Sequence, residues 1–354
     1  MGGTGPTGKR MSTTTTSHYL AVREDWLAQR QEEILEPGLP IVDPHHHLWD
    51  RPGWRYLLDE ILADTNSGHN ITATVFVQCR AMHRAGGPEA MRPVGETEFV
   101  NGIAAMSASG GFGPTRIAAG IVGHADLTLG EAVRPVLEAH IRAGGGRFRG
   151  IRHIATWDPN PGVQNPAYTP PEDMLDSPGF RAGFAQLAPL GLSYDAWCYY
   201  HQLPRVKALA EAFPGTRIIL NHVGGPLGFG PYENRREEVF AQWSAHIRAL
   251  AACPNVTVKV GGMGMRTNNF GFERGELPPS SAKLAATWKP YAETVIEAFG
   301  AGRCMFESNF PVDKGSYSYQ ACWNAFKRLA ACASAEEKAA LFSGTATRIY
   351  RLEA

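Results

Sequence analysis

The chain has 354 residues, with 34 Lys+Arg against 34 Asp+Glu and 44% hydrophobic residues. A formal charge of zero gives no field to hold a polyanion or an anionic bilayer, which excludes a dedicated nucleic-acid or membrane-surface binder and leaves a small molecule as the partner. Charged residues at 19% with this much apolar surface also exclude a disordered chain; length alone admits two or three domains of ~100–200 residues, or one α/β barrel of ~250 residues and more.

In chain order, residues 1–17 are low-complexity and read as a mobile leader, with Met11 an alternative start to Met1. They lack the apolar run of a signal peptide, and no later segment reaches the ~18 apolar residues of a membrane span, so a cytoplasmic location is expected. The pattern over 24–35 predicts a helix lying outside the repeats that follow. From Ile41 a theme recurs: a short apolar run ending in polar residues, a loop, then an amphipathic helix. The runs are 41–45, 71–79, 116–123, 148–154, 192–197, 217–222, 256–260 and 304–308. Helical patterns lie at 96–109, 129–143, 178–188, 203–213, 233–252, 280–299 and 317–333, with a last one at 336–350. Eight β/α units without a GxGxxG after the first strand fit a single (β/α)8 TIM-type barrel over 18–354 better than a doubly wound sheet. The loops 158–171 and 266–279 exceed the ~2–6 residues of ordinary βα connections and read as walls of a site. The six cysteines stand singly, without a CxxC pair, and read as buried, reduced thiols.

In such a barrel the reacting groups come from the C-terminal ends of the strands. Side chains alternate along a strand, so in Asp43-Pro44-His45-His46-His47 the first and third histidines share a face, as two imidazoles must to meet at one metal or one substrate oxygen. His46 points away and reads as structural. Later strand ends carry His124, Arg152 and His153, His201, His222, Lys259, and Glu307-Ser308-Asn309-Phe310-Pro311-Val312-Asp313. Arg152 and Lys259, as inward charges, suit an anionic substrate group or a developing oxyanion, or else a salt bridge. Trp157 and Tyr199 follow strands as candidate pocket walls, and His124 is a candidate contact to substrate.

These strand ends resemble the amidohydrolase superfamily, and within it the amidohydrolase-2 group of TIM-barrel hydrolases that includes sugar-acid and pyrone-dicarboxylate lactonases. The markers are Asp43-Pro44-His45-His46-His47-Leu48-Trp49, Gly150-Ile151-Arg152-His153, His201-Gln202-Leu203-Pro204, Asn221-His222-Val223-Gly224-Gly225-Pro226, Val258-Lys259-Val260-Gly261-Gly262 and Ser308-Asn309-Phe310-Pro311-Val312. The resemblance implies that His45 and His47 supply ligands to one divalent metal such as zinc when one is present. It also implies that His201 completes the site and that His222 binds metal or the reacting oxygen. The chain departs from the pattern where an Asp usually deprotonates water at strand eight: Asn309 stands there, and an amide cannot act as a base. Glu307, two residues earlier on the same face, or Asp313, on the loop beyond, is expected to take over as base, with Glu307 a further candidate ligand and Asn309 a hydrogen-bond donor to substrate.

The activity these residues imply is hydrolysis of a lactone of a sugar acid or of an aromatic-catabolism intermediate, the substrate bearing a carboxylate. His45, His47 and His222 would polarise the carbonyl and Arg152 or Lys259 would hold the anionic group. The alternatives are a metal-dependent decarboxylase or C–C hydrolase acting on an aromatic acid, and a non-catalytic small-ligand barrel. A homo-oligomer is compatible with the sequence, which identifies no interface.

Overall fold

The computed structural model describes residues 19–165 and 168–353, so the leader expected over 1–17 lies outside the described residues. Eight parallel strands run in sequential order around a barrel: β1 Pro40–His46, β2 Asn70–Val77, β3 Arg116–Gly123, β4 Phe148–Ile151, β5 Ser193–Ala196, β6 Ile218–Leu220, β7 Val256–Val260 and β8 Cys304–Phe306. The chain just beyond β8 closes the ring. There Asn309 N donates to His45 O at 3.0 Å and His47 N to Phe310 O at 2.8 Å, with His46 and Phe310 bridged in parallel. Several strands stop two or three residues before the sequence pattern predicts, because the residues past their ends leave the ladder to turn into the site. Among the described residues no helix is long and apolar enough to cross a membrane.

The strands are dominated by Val, Ile and Leu, whose branched side chains suit a pleated surface buried on both faces. Their outward side chains pack under the surrounding helices, with Trp243 and Trp288 fully buried there. A second cluster joins Val42, Val75, Val77, Val122, Ile219 and Met305 from the strands to Ala346, Ile349 and Tyr350 from the C-terminal helix Thr345–Tyr350. That helix packs the barrel end away from the site. It ends the helical run expected over 336–350, which is unbroken from Ala335 to Tyr350 and holds one π-turn, Ala340–Gly344.

The N-terminal expectation is corrected. Only Glu24–Leu27 is helical. Beyond it, polar side chains of the helix Tyr319–Leu329 capture the backbone: Leu35 N donates to Asn324 Oδ1 at 3.0 Å, Asn324 Nδ2 to Glu33 O at 2.9 Å, and Lys327 Nζ to Leu35 O at 2.6 Å. A further element, unforeseen in the sequence, is the hairpin Trp49–Arg51 with Trp54–Tyr56, directly after the His-x-His run. All six cysteines are free, but only four are buried; Cys79 is half-buried and Cys332 exposed.

Candidate active site

The end of β1 sorts its histidines as alternation requires. His46 turns outward and its Nε2 meets Thr74 Oγ1 at 2.8 Å, a structural role. His45 and His47 turn inward with ring centroids 5.0 Å apart. His47 Nδ1 is 2.7 Å from Val77 O. A carbonyl only accepts, so Nδ1 carries the proton and Nε2 keeps its lone pair. The ring stacks on Trp49 with centroids 5.7 Å apart, which joins the hairpin to the site.

His222 follows β6 in a tight turn where it and Val223 both have positive φ, 54° and 48°. Side chains rarely take this conformation, and here it is held by the surrounding packing. The glycines after β7 make the room. A Cβ on Gly262 would lie 2.3 Å from His222 Nδ1, and one on Gly261 would lie 2.3 Å from Glu307 O and 2.5 Å from its Cγ. Into that space Glu307 places its carboxylate: Oε1 accepts from His222 N at 3.1 Å and faces His222 Nδ1 at 2.8 Å. Oε2 lies 2.7 Å from His45 Nδ1, but off the axis of a hydrogen bond, and has no hydrogen-bond partner.

Two cations flank this group. Lys259 Nζ is 3.3 Å from His45 Nδ1 and pairs at 2.8 Å with Asp195, both partners being fully buried. Arg152 Nη1 is 3.3 Å from His45 Nε2, its Nη2 donates to Gln78 O, and its Nε is unpartnered. Burial, only partly offset by Lys259, pushes the Glu307 carboxyl up to about 8. Burial first, and then the cations, holds His45, His47 and His222 well below the usual imidazole range. The imidazoles are therefore neutral, with ring lone pairs open to a metal, and each takes a proton only where a neighbouring carboxylate stabilises the cation that forms.

Above this floor opens a cavity at the C-terminal barrel end. His47, Arg152, His222 and Asn309 present polar groups to it, with Trp197 and Tyr199 as walls. The long loops contribute Asn165, Arg266 and Thr267, and the N-terminal segment adds Tyr19 and Leu20. Loop length was the sequence signal for the first group; nothing in the sequence marked Tyr19 or Leu20.

The structure separates the remaining predicted residues from the cavity. His45 and Glu307 lie fully buried beneath its floor. Lys259 is taken by Asp195, so it holds no substrate anion. His124 Nδ1 faces Arg152 O at 3.2 Å, behind the wall. Trp157 contributes through its backbone, donating to Gln202 Oε1 at 3.1 Å and accepting from His201 Nε2 at 3.0 Å. His201, on the turn Tyr200–Gln202, is thus aimed at the 158–171 loop and is not one of the clustered groups. Among the described residues, the donor set that does cluster is His45, His222 and Glu307, with ligand atoms within 4.8 Å of one another. Asp313 is buried and does not reach in from above; its Oδ1 accepts from Asn309 Nδ2 at 2.9 Å. The Asn309 amide N–H expected to face substrate is therefore committed to Asp313.

A family model described as Amidohydrolase matches residues 42–352, which is nearly the whole barrel. The chain belongs to the amidohydrolase family. Among curated relatives, this amidohydrolase is 34% identical to an uncharacterised protein of Sinorhizobium fredii, over 89% of this chain and 99% of that one. It is 29% identical to an L-fucono-1,5-lactonase of Burkholderia multivorans, over 88% of this chain and 96% of that one. Among solved structures, an amidohydrolase from Burkholderia multivorans with bound zinc superposes with a TM-score of 0.68 at 27% identity, covering 88% of this chain and 99% of that one. A Pseudomonas putida protein titled as a 2-pyrone-4,6-dicarboxylic acid hydrolase shares the fold, with a TM-score of 0.59 at 18% identity over 89% and 99% of the two chains. Fold, site and family together make the chain a hydrolase.

Proposed function

We propose that this amidohydrolase opens a lactone, adding water to a cyclic ester to give the hydroxy acid. The observation that carries the reading is the His222–Glu307 dyad, in which the imidazole faces the cavity and the carboxylate holds it from beneath. Where Glu307 is ionised, above the value of about 8 to which burial raises it, Nδ1 donates to Oε1 and His222 keeps a lone pair on Nε2 for the cavity. His222 is then the base and Glu307 the residue that positions it, a shift by one residue from the sequence expectation. His222 takes a proton from water as the hydroxide adds to the carbonyl carbon. The oxyanion forms beside the Arg152 guanidinium, which lines the cavity. The ring C–O bond then breaks and His222 returns its proton to the leaving oxygen. The curated lactonases at 29% and 27% identity support the substrate class.

The same floor fits a divalent metal. Two neutral imidazoles and a carboxylate form a donor set of the kind that holds catalytic zinc, and the unpartnered Glu307 Oε2 is a buried oxygen that a cation would satisfy. His45, His222 and Glu307 would hold it, and when bound it would supply Lewis-acid polarisation of the carbonyl.

Assay of a panel of aldono-1,4- and 1,5-lactones and muconolactone-like compounds tests the reading. Turnover of at least one member by wild type, abolished in His222→Ala, is the expected result. A panel left unhydrolysed, or hydrolysed equally by His222→Ala, would overturn it.

A further inference from the structure

Asn309 lies just past β8 with φ of 57°, a left-handed conformation that Asn tolerates better than most residues, and it lines the cavity. Behind it, Asp313 collects donors from three parts of the chain. Asn309 Nδ2 reaches Oδ1 at 2.9 Å, while the backbone N–H of Gly264 at 2.8 Å and the hydroxyl of Tyr317 at 2.5 Å both reach Oδ2. Burial raises the Asp313 carboxyl to about 7 against the pull of its three donors; above that pH the ionised carboxylate only accepts, so the amide turns its NH2 toward Asp313, and the flipped amide would set oxygen against oxygen. The amide oxygen is the end left for the cavity.

That oxygen adds an acceptor to the lone pairs of His47 Nε2 and His222 Nε2 and, unlike them, does not take up a proton. Arg152 only donates, and the Tyr199 hydroxyl proton is committed to Val163 O at 3.1 Å. We propose that Asn309, locked by Asp313, is a specificity-determining residue. Its Oδ1 accepts a hydrogen bond from a hydroxyl on the substrate ring, and the site takes hydroxylated lactones in preference to their deoxy and O-methyl analogues. The inference rests on the lactone reading and deepens it. A substrate that cannot donate leaves the amide oxygen desolvated and unpaired, and that asymmetry, more than the bond itself, sets the discrimination.

The lock makes the proposal testable from outside the cavity. In Asp313→Asn the new amide can offer its oxygen to Gly264 and Tyr317, which sets its NH2 against Asn309. The Asn309 amide then turns over and shows N–H to the cavity. The measurement is kcat/KM on a hydroxylated aldonolactone and its monodeoxy and O-methyl analogues, for wild type, Asp313→Asn and Asn309→Ala. Wild type is expected to prefer the hydroxylated member by about 5- to 100-fold, and both variants to bring the ratio to within about twofold. An unchanged ratio in both variants would overturn the proposal. So would an equal loss on every substrate, which would mean that Asn309 holds the attacking water. Asn309→Ala decides the matter alone if Asp313→Asn does not fold. If wild type hydrolyses none of the set, the lactone reading has failed, and calorimetric binding of the same compounds still reads the ratio. A binding preference for the hydroxylated member that Asn309→Ala erases would sustain the proposal, and flat binding would overturn it.

Discussion

At the scale of single residues, the site depends on what each side chain is prevented from doing. Glu307 has no solvent surface and no view of the cavity, yet it receives two contacts from His222 and lies against His45. Its influence on chemistry must pass through those rings. Glu307→Gln keeps the volume and can still set its oxygen toward His222 N and Nδ1, but it removes the charge that stabilises His222 once that ring has taken a proton. We expect kcat to fall about 10²- to 10⁴-fold, with the circular dichroism spectrum unchanged. Full activity in a folded Glu307→Gln protein would remove the dyad from the mechanism. Much of this was legible in the chain. The His45/His47 spacing obeys strand alternation, and a buried carboxylate must be paired, protonated, metal-bound or catalytic. Its partner was not legible, because β6 and β8 flank β7 without pairing to each other, and His222 reaches Glu307 over β7 only because Gly261 and Gly262 leave space. His201 misled for the opposite reason: its sequence context matches a motif, while the turn that carries it aims the ring outward.

At the scale of elements, eight strand-and-helix units follow from hydrophobic periodicity because that pattern is local. The stretch 28–39 does not, because its structure is imposed by distant side chains. Asn324, fully buried on the helix Tyr319–Leu329, both accepts from Leu35 N and donates to Glu33 O. Helix propensity differs by less than ~1 kcal/mol per residue between ordinary side chains, and one buried amide satisfying two backbone groups is enough to override it. Replacing Asn324 by Ala strands both groups. A loss of about 1–3 kcal/mol is expected in urea unfolding, and a loss near zero would show that solvent takes over both bonds. The hairpin Trp49–Arg51/Trp54–Tyr56 escaped prediction because its strands are too short to show an alternation. It positions Trp49 under His47 and packs Tyr19 against Trp49 and Trp54 at 6.0 and 5.5 Å, so the N-terminal segment becomes part of the cavity wall.

Taken as a whole molecule, the balanced charge conceals an uneven distribution: the barrel interior holds Lys259, Asp195, Arg152 and Glu307 within a shell of Val, Ile and Phe. A metal binding this interior would stabilise the native state alone, since the unfolded chain does not assemble His45, His222 and Glu307. Zinc at about 100 times its dissociation constant should add ~2.7 kcal/mol, read as a rise in melting temperature. Glu307→Gln and His45→Ala should show no rise, and magnesium, which prefers oxygen ligands, should give none in wild type. A wild-type melting temperature insensitive to zinc would argue that the three groups serve proton transfer alone.

The same interior ties the far end of the barrel to the site. Tyr350, on the C-terminal helix, donates to Asp195 Oδ1 at 2.8 Å, Asn221 Nδ2 donates to it at 3.0 Å, and Lys259 at 2.8 Å. Lys259 in turn stands 3.3 Å from His45 and helps to keep that imidazole neutral. Because Lys259 and Asp195 are both fully buried, their mutual attraction offsets a large desolvation cost, and removing one partner exposes the other's cost in full. Lys259→Met is therefore expected to lose about 3–5 kcal/mol of unfolding free energy, far more than an exposed ion pair would. The double variant Lys259→Met/Asp195→Asn should recover part of that loss, since no buried charge is then left alone and Tyr350 keeps an acceptor. Equilibrium unfolding of the three proteins decides the point. A single variant within about 1 kcal/mol of wild type would mean that the pair contributes no net attraction in the fold, and the chain of contacts from Tyr350 to His45 would then carry nothing to the active site.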